Sequence, residues 1–125
     1  MINIILITGE NDALSDFESG LRQDKEIKIE RVNSCEKAFD LISEKNFDLA
    51  VADENIAGTP GLEFVEKLVS INPLINCAVI SSLGAKDFHE ASEGLGVLTQ
   101  IPLRPDQKHA KILLQKLKAV LNLMM

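Results

Sequence analysis

The side chains of this 125-residue chain that can do chemistry gather where apolar runs stop. Ile2 to Thr8 gives way to Gly9-Glu10-Asn11, Phe47 to Ala52 gives way to Asp53 with Asn55, Asn76 to Ile80 gives way to Ser81-Ser82, and the last run closes in Thr99 to Pro102. Carboxylates of this kind can ligate a hard cation or act as nucleophiles, and a nearby hydroxyl can hydrogen-bond an oxyanion. Hydrolase chemistry matches poorly, because no Cys or Ser sits in a recognisable nucleophile motif and no histidine falls in the strand-end series. His89 and His109 fall on polar helical stretches without a second ligand at metal spacing, so they read as surface histidines.

The elements that must position these residues alternate along the chain. Ile2 to Thr8 is a continuous apolar run suited to a strand buried on both faces. Asp12 can cap a helix to Arg22 whose Ala13, Leu14, Phe17 and Leu21 recur at helical spacing. A short strand with Ile27, Ile29 and Val32 follows, and Ser34 can cap a helix with Cys35, Ala38, Phe39 and Ile42 on one face. Phe47 to Ala52 is the third strand, and Glu54 to Gly61 has the composition of a loop. Thr59 then Pro60 predicts a cap and first turn for a helix buried through Leu62, Val65, Leu68 and Val69 and ended by Asn72-Pro73. Asn76 to Ile80 is the fourth strand, Phe88 and Ala91 mark a polar helix before Gly94 and Gly96, and Val97 to Ile101 is the fifth strand. Ala110, Leu113, Leu114, Leu117, Val120 and Leu121 describe a closing amphipathic helix. Five β-then-α units predict one doubly wound α/β domain over residues 1–125, a parallel sheet between two helical layers, with its ligand site beyond the carboxyl ends of the strands.

Composition narrows the function classes. A hydrophobic fraction of 46% with no Gly, Ser or Pro run fits an ordinary globular domain, and no apolar stretch approaches the roughly 20 residues of a membrane helix. The short apolar start running into Gly9-Glu10-Asn11 does not read as a signal peptide, so the expected location is the cytoplasm. Cys35 and Cys77 suit buried free thiols in a reducing compartment. A net charge of −6, with Lys and Arg scattered among acids, argues against direct nucleic-acid binding.

Along its whole length the chain resembles the receiver domain of two-component response regulators, as an atypical, degenerate member. The resemblance is clearest in Asp48-Leu-Ala-Val-Ala-Asp53-Glu-Asn-Ile-Ala-Gly58-Thr-Pro-Gly61-Leu-Glu-Phe, which has the spacing of strand, acceptor aspartate, loop glycine and following helix. It implies a flavodoxin-like (βα)5 fold in three α/β/α layers. It implies Asp53 as the phosphoacceptor and Ser81 as the hydroxyl that contacts the phosphoryl group. It also implies Glu10 as the second residue of an acidic pair, which with Asp53 and the Asn55 backbone carbonyl would hold Mg²⁺ weakly. Gly9 falls on the first acid of that pair, Ile101 on the lysine that precedes Pro102, and Leu98 on the aromatic three residues earlier. An ammonium near phosphoryl oxygens is worth about 1 to 4 kcal/mol, so its loss weakens phosphorylation. Lys86 or Arg104 could swing in to replace it, although such residues are more often plain surface charges.

Simpler roles stay open for the same residues. A strand-end aspartate can cap a loop amide, an acid such as Glu10 suits a helix start, and Ser82 competes with Ser81 for the hydroxyl position. The expectation is a module that works by protein–protein interaction, with weak or no phosphorylation at Asp53. Its partners would be a histidine kinase or phosphotransfer protein and a downstream protein, a homodimer being compatible; neither nucleic acid nor membrane is expected. A flavodoxin-like cofactor carrier shares the fold, but the chain has no Trp or Tyr to stack on an isoalloxazine ring. A purely structural interaction domain is the remaining alternative.

Overall fold

The structure, a computed structural model, describes residues 1–9 and 12–123. Five strands form one parallel sheet: β1 (Ile2–Ile7), β2 (Ile27–Val32), β3 (Leu49–Ala52), β4 (Asn76–Ile80) and β5 (Val97–Ile101), in the order β2-β1-β3-β4-β5. Between them run α1 (Ser15–Arg22), α2 (Cys35–Glu44), α3 (Gly61–Ile71) and α4 (Ala85–Ser92), with α5 (Gln107–Leu123) last. The chain starts near the middle, winds outward to β2, then crosses β1 to build the other side, which is the doubly wound sheet predicted from the alternation and the flavodoxin-like fold that the resemblance implies.

Strand alternation divides the core into two layers. Ile4, Leu6, Leu49, Val51, Ala78, Ile80 and Ile101 face one way and meet Leu14, Phe17 and Leu21 beside α1 and Leu113, Leu114 and Leu117 of α5. Ile5, Ile7, Ala50, Ala52, Cys77 and Val79 face the other way and meet Ala38, Phe64, Val65, Leu68 and Phe88 from α2, α3 and α4. With every residue of Ile4–Ile7 and Leu49–Ala52 fully buried, the two central strands are the uninterrupted apolar runs of the sequence. Full burial of an Ile or Leu side chain is worth about 1.5–3 kcal/mol, so these strands make a stiff platform for whatever their carboxyl ends carry. β5 is an edge strand, half-buried from Val97 to Gln100, and its pairing with β4 shifts register between Cys77 and Ala78.

Two local expectations, the Ser34 cap and the polar fourth helix, are met in detail. Ser34 caps α2 by accepting the Lys37 N–H at 3.2 Å. The polar fourth helix exists and buries Phe88. Asp106 and His109 cap each other at the start of α5, and Lys118 of α5 bonds Asp24 beyond α1 at 2.5 Å, which holds the Asp24 carboxyl below its usual range. No helix among the described residues is long and apolar enough to cross a membrane.

Three expectations need adjustment. Thr59 and Pro60 do not open α3; they pair antiparallel with Asn55 and Ile56 in a small ribbon, and α3 begins at Gly61 without a side-chain cap. The ribbon closes because Ala57 and Gly58 take positive φ (49° and 94°) and Asn55 Oδ1 accepts the Gly58 N–H at 2.8 Å. The stretch from Asp12 begins with one 3₁₀ turn, Asp12–Leu14, before α1, and the capping role expected of the Asp12 side chain lies outside the described residues. Cys77 is buried, with its thiol pushed up to about 12 by desolvation, whereas Cys35 is half-buried.

Candidate functional site

The parallel register decides which strand-end residues meet. Ile7 of β1 pairs with Ala52 of β3, and the Asp53 N–H bonds the Ile7 carbonyl at 2.9 Å, so the next residues, Thr8 and Asp53, lie side by side at the carboxyl edge. Thr8 is fully buried and Asp53 is 5% exposed. The Thr8 hydroxyl donates to Asp53 Oδ2 at 2.6 Å, and the Glu54 N–H donates to Oδ1 at 2.7 Å. Asp53 thus caps its own loop amide, the simpler role open to it, while remaining a buried carboxylate at the end of the central strand.

The loop after Asp53 approaches very closely on the other side. Gly61 lies so near the Asp53 backbone that a Cβ there would fall 2.1 Å from the Asp53 carbonyl oxygen. The Gly61 N–H bonds the Glu54 carbonyl at 2.9 Å, closing the ribbon into a tight return beneath the carboxylate. Gly9 is different: a Cβ there would meet the Ala57 nitrogen at an ordinary 3.8 Å, so packing leaves room for a side chain at this position.

On the neighbouring strand, Ser81 is 6% exposed at the end of β4, and its hydroxyl oxygen accepts the Leu83 N–H at 3.1 Å. Ser82 is exposed and donates both its N–H and its hydroxyl to Glu54 Oε2, the hydroxyl at 2.7 Å. Gln100 of β5 donates its side-chain amide to the carbonyls of Ser81 (3.3 Å) and Leu83 (2.7 Å). Ile101, at the position where the resemblance places a lysine, is 2% exposed and packs in the layer of α1 and α5. Lys86 and Arg104 are exposed, Arg104 with φ at 52°.

The expected site is therefore brought together in part. Asp53 and Ser81 end adjacent strands on one edge. Asn55 lies in the ribbon with its side chain turned to Gly58. Glu10 lies outside the described residues. Among the described residues no group of three His, Cys, Asp or Glu side chains could hold a metal ion. Both Asp53 oxygens accept protein donors, and the Glu54 carboxylate is turned to Ser82.

Three participants were missed in the sequence: Thr8, Glu54 and Gln100. Thr8 read as the last residue of a strand, although counting both apolar runs to their ends places it opposite Asp53. Glu54 and Gln100 carry no local signal, because their partners lie 28 and 17 or more residues away.

By sequence, the chain matches no protein-family model and no curated protein. By structure, it is similar to a two-component response regulator from Clostridium difficile, with a TM-score of 0.80 and 19% identity over 99% of this chain and 98% of that one. It is also similar to a response regulator receiver domain protein (CheY-like) from Methanospirillum hungatei JF-1, with a TM-score of 0.78 and 18% identity over 98% and 94% of the two chains. A third neighbour is a response regulator from Burkholderia pseudomallei with a phosphorylated aspartic acid, calcium ion and citrate, with a TM-score of 0.75 and 14% identity over 94% of this chain and 66% of that one. The chain has the fold of response regulator receiver domains.

Proposed function

We propose that this chain is a receiver-like signalling module of a two-component phosphorelay, acting through protein–protein interaction, with weak or no phosphorylation at Asp53. The observation that carries the reading is the placement of Asp53: a buried carboxylate at the carboxyl end of a central strand, held by the Thr8 hydroxyl and the Glu54 amide, next to Ser81. That is where an α/β sheet of this topology presents its reactive groups. The three structural neighbours support it, one of them being described with a phosphorylated aspartic acid.

Phosphorylation is weak in this reading because charge compensation is lacking. A carboxylate attacking a phosphoryl group brings negative charges together, and a divalent cation or an ammonium must offset them. The position that would supply the ammonium is Ile101, and Gly9 contributes no carboxylate. Any Mg²⁺ would depend on Glu10 joining Asp53 and the Asn55 carbonyl, which makes it a weakly held ion. The partners in this reading are a histidine kinase or phosphotransfer protein and a downstream protein, met in the cytoplasm; a homodimer is compatible with it.

The test is amide NMR of the full chain titrated with beryllofluoride, a mimic of the phosphoryl group, in Mg²⁺, beside an Asp53→Asn control and a receiver domain with a complete acidic pair and lysine. The expected result is a response at Asp53 and Ser81 that needs far more ligand than the comparison domain and vanishes in Asp53→Asn, or no response. Saturation as tight as in the comparison domain would overturn the impaired-acceptor reading. A response that persists in Asp53→Asn would overturn Asp53 as the acceptor.

A further inference from the structure

We propose that Glu54 is a built-in anion that latches the loop after β4, holding Ser81 to Leu83 in one conformation whether or not Asp53 carries a phosphoryl group. The inference stands on hydrogen bonds and not on phosphorylation; its consequence for signalling rests on the receiver-like reading.

Five side-chain hydrogen bonds hold the short loop from Ser81 to Leu83. One carboxylate oxygen, Glu54 Oε2, accepts both the N–H and the hydroxyl of Ser82. Hydrogen bonds to an ionised acceptor are about twice as strong as neutral ones, and two donors on one residue fix its backbone and side chain together. Gln100 grips the same loop from the opposite side through the carbonyls of Ser81 and Leu83, and the Ser81 oxygen closes an internal turn on the Leu83 N–H. The span from Glu54 to Ser82 joins the end of β3 to the end of β4, across the edge where Asp53 lies.

Chemistry makes this arrangement more than a surface contact. An anion added to Asp53 would need N–H and O–H donors from the neighbouring loop to satisfy its oxygens. The N–H and hydroxyl of Ser82 are the pair already drawn in by a carboxylate one residue away from Asp53. A phosphoryl group would have to compete with Glu54 for them, and the loop has little left to gain by moving. The side chain of Leu83, 41% exposed on that loop, is thereby presented in a fixed position.

The test is amide hydrogen exchange by NMR on the full chain, without any phosphoryl mimic, comparing the wild type with Glu54→Ala, Glu54→Gln and Asp53→Asn. Glu54 is only partly buried, so its replacement is expected to leave the fold intact, and the core amides below check this. The Ser82 amide is expected to exchange about tenfold faster in Glu54→Ala, by a smaller factor in Glu54→Gln, which keeps a neutral acceptor, and at the wild-type rate in Asp53→Asn. Unchanged Ser82 exchange in Glu54→Ala would overturn the proposal. So would an equal acceleration of the core amides of Ile5 and Val51, which would show general loss of stability in place of an unlatched loop. A beryllofluoride response that persists in Asp53→Asn would fail the acceptor reading while leaving this exchange result intact.

Discussion

The end of β3 and the end of β5 lie on the same sheet edge and are built on different terms. At β3, a carboxylate is buried to 5% exposure, which is costly unless its lone pairs are met, and Thr8 and the Glu54 amide meet them. At β5, the last residue is Ile101, 2% exposed and merged into the apolar layer with α1 and α5, while Gln100 ties down the loop after β4 with a neutral amide. One end keeps a charge and the donors it requires; the other has been given over to packing and to neutral hydrogen bonds. In a module of the proposed kind, the accepting half is retained in outline and the half that would sense an added charge is fixed.

The contrast breaks most readily at Gly61. A methyl group there would fall 2.1 Å from the Asp53 carbonyl oxygen and 3.2 Å from its carbon, both backbone atoms that cannot rotate away. Gly61→Ala is expected to lose about 3 kcal/mol of stability in denaturant unfolding. A loss below about 0.5 kcal/mol would show that the return under Asp53 relaxes easily, and the β3 end would then be no stiffer than the β5 end.

Putting a charge at the β5 end is the second way to probe the difference. Ile101 shares its layer with Leu49 and Val51, and the same alternation directs Asp53, the next odd-numbered residue of that run, toward that side of the sheet. Ile101→Lys removes about 2 kcal/mol of apolar burial, while the long stem can lie along the core and lift its ammonium to the edge. The expected outcome is a protein about 2 kcal/mol less stable in denaturant that responds to beryllofluoride at lower concentration than the wild type. An equal or weaker response would mean that the missing cation is not what separates the two ends.

How much of this was legible in the sequence follows from the range of the forces involved. The strands Asn76–Ile80 and Val97–Ile101 are bounded as the apolar runs predict, and the Ser34 cap forms, because burial and capping are decided within a few residues. Thr59-Pro60 misled because a cap-and-proline signature also fits a turn-flanking ribbon, and the choice was made by Ala57 and Gly58 at positive φ. At the site, Asp53 and Ser81 were visible as polar residues that end apolar runs. Thr8 against Asp53, Glu54 against Ser82 and Gln100 against the Ser81 and Leu83 carbonyls were not, since strand register and loop approach set them over separations of 17 to 45 residues.

The smallest expected effect sharpens the comparison most directly, because it tests whether the β3 end is held by a specific donor. Thr8→Val keeps the shape of the side chain and removes the hydroxyl that donates to Asp53 Oδ2 at 2.6 Å. The lost bond to a buried carboxylate predicts a destabilisation of about 1.5 kcal/mol. Packing changes at Thr8 would contribute to the same number, so a double-mutant cycle with Asp53→Ala is needed to isolate the pair. If the hydroxyl serves the carboxylate, Thr8→Val costs less once Asp53 is gone, with a coupling of about 1 kcal/mol. If the cost is the same in both backgrounds, Thr8 is only a well-packed strand end, and the carboxylate is held by its remaining partners.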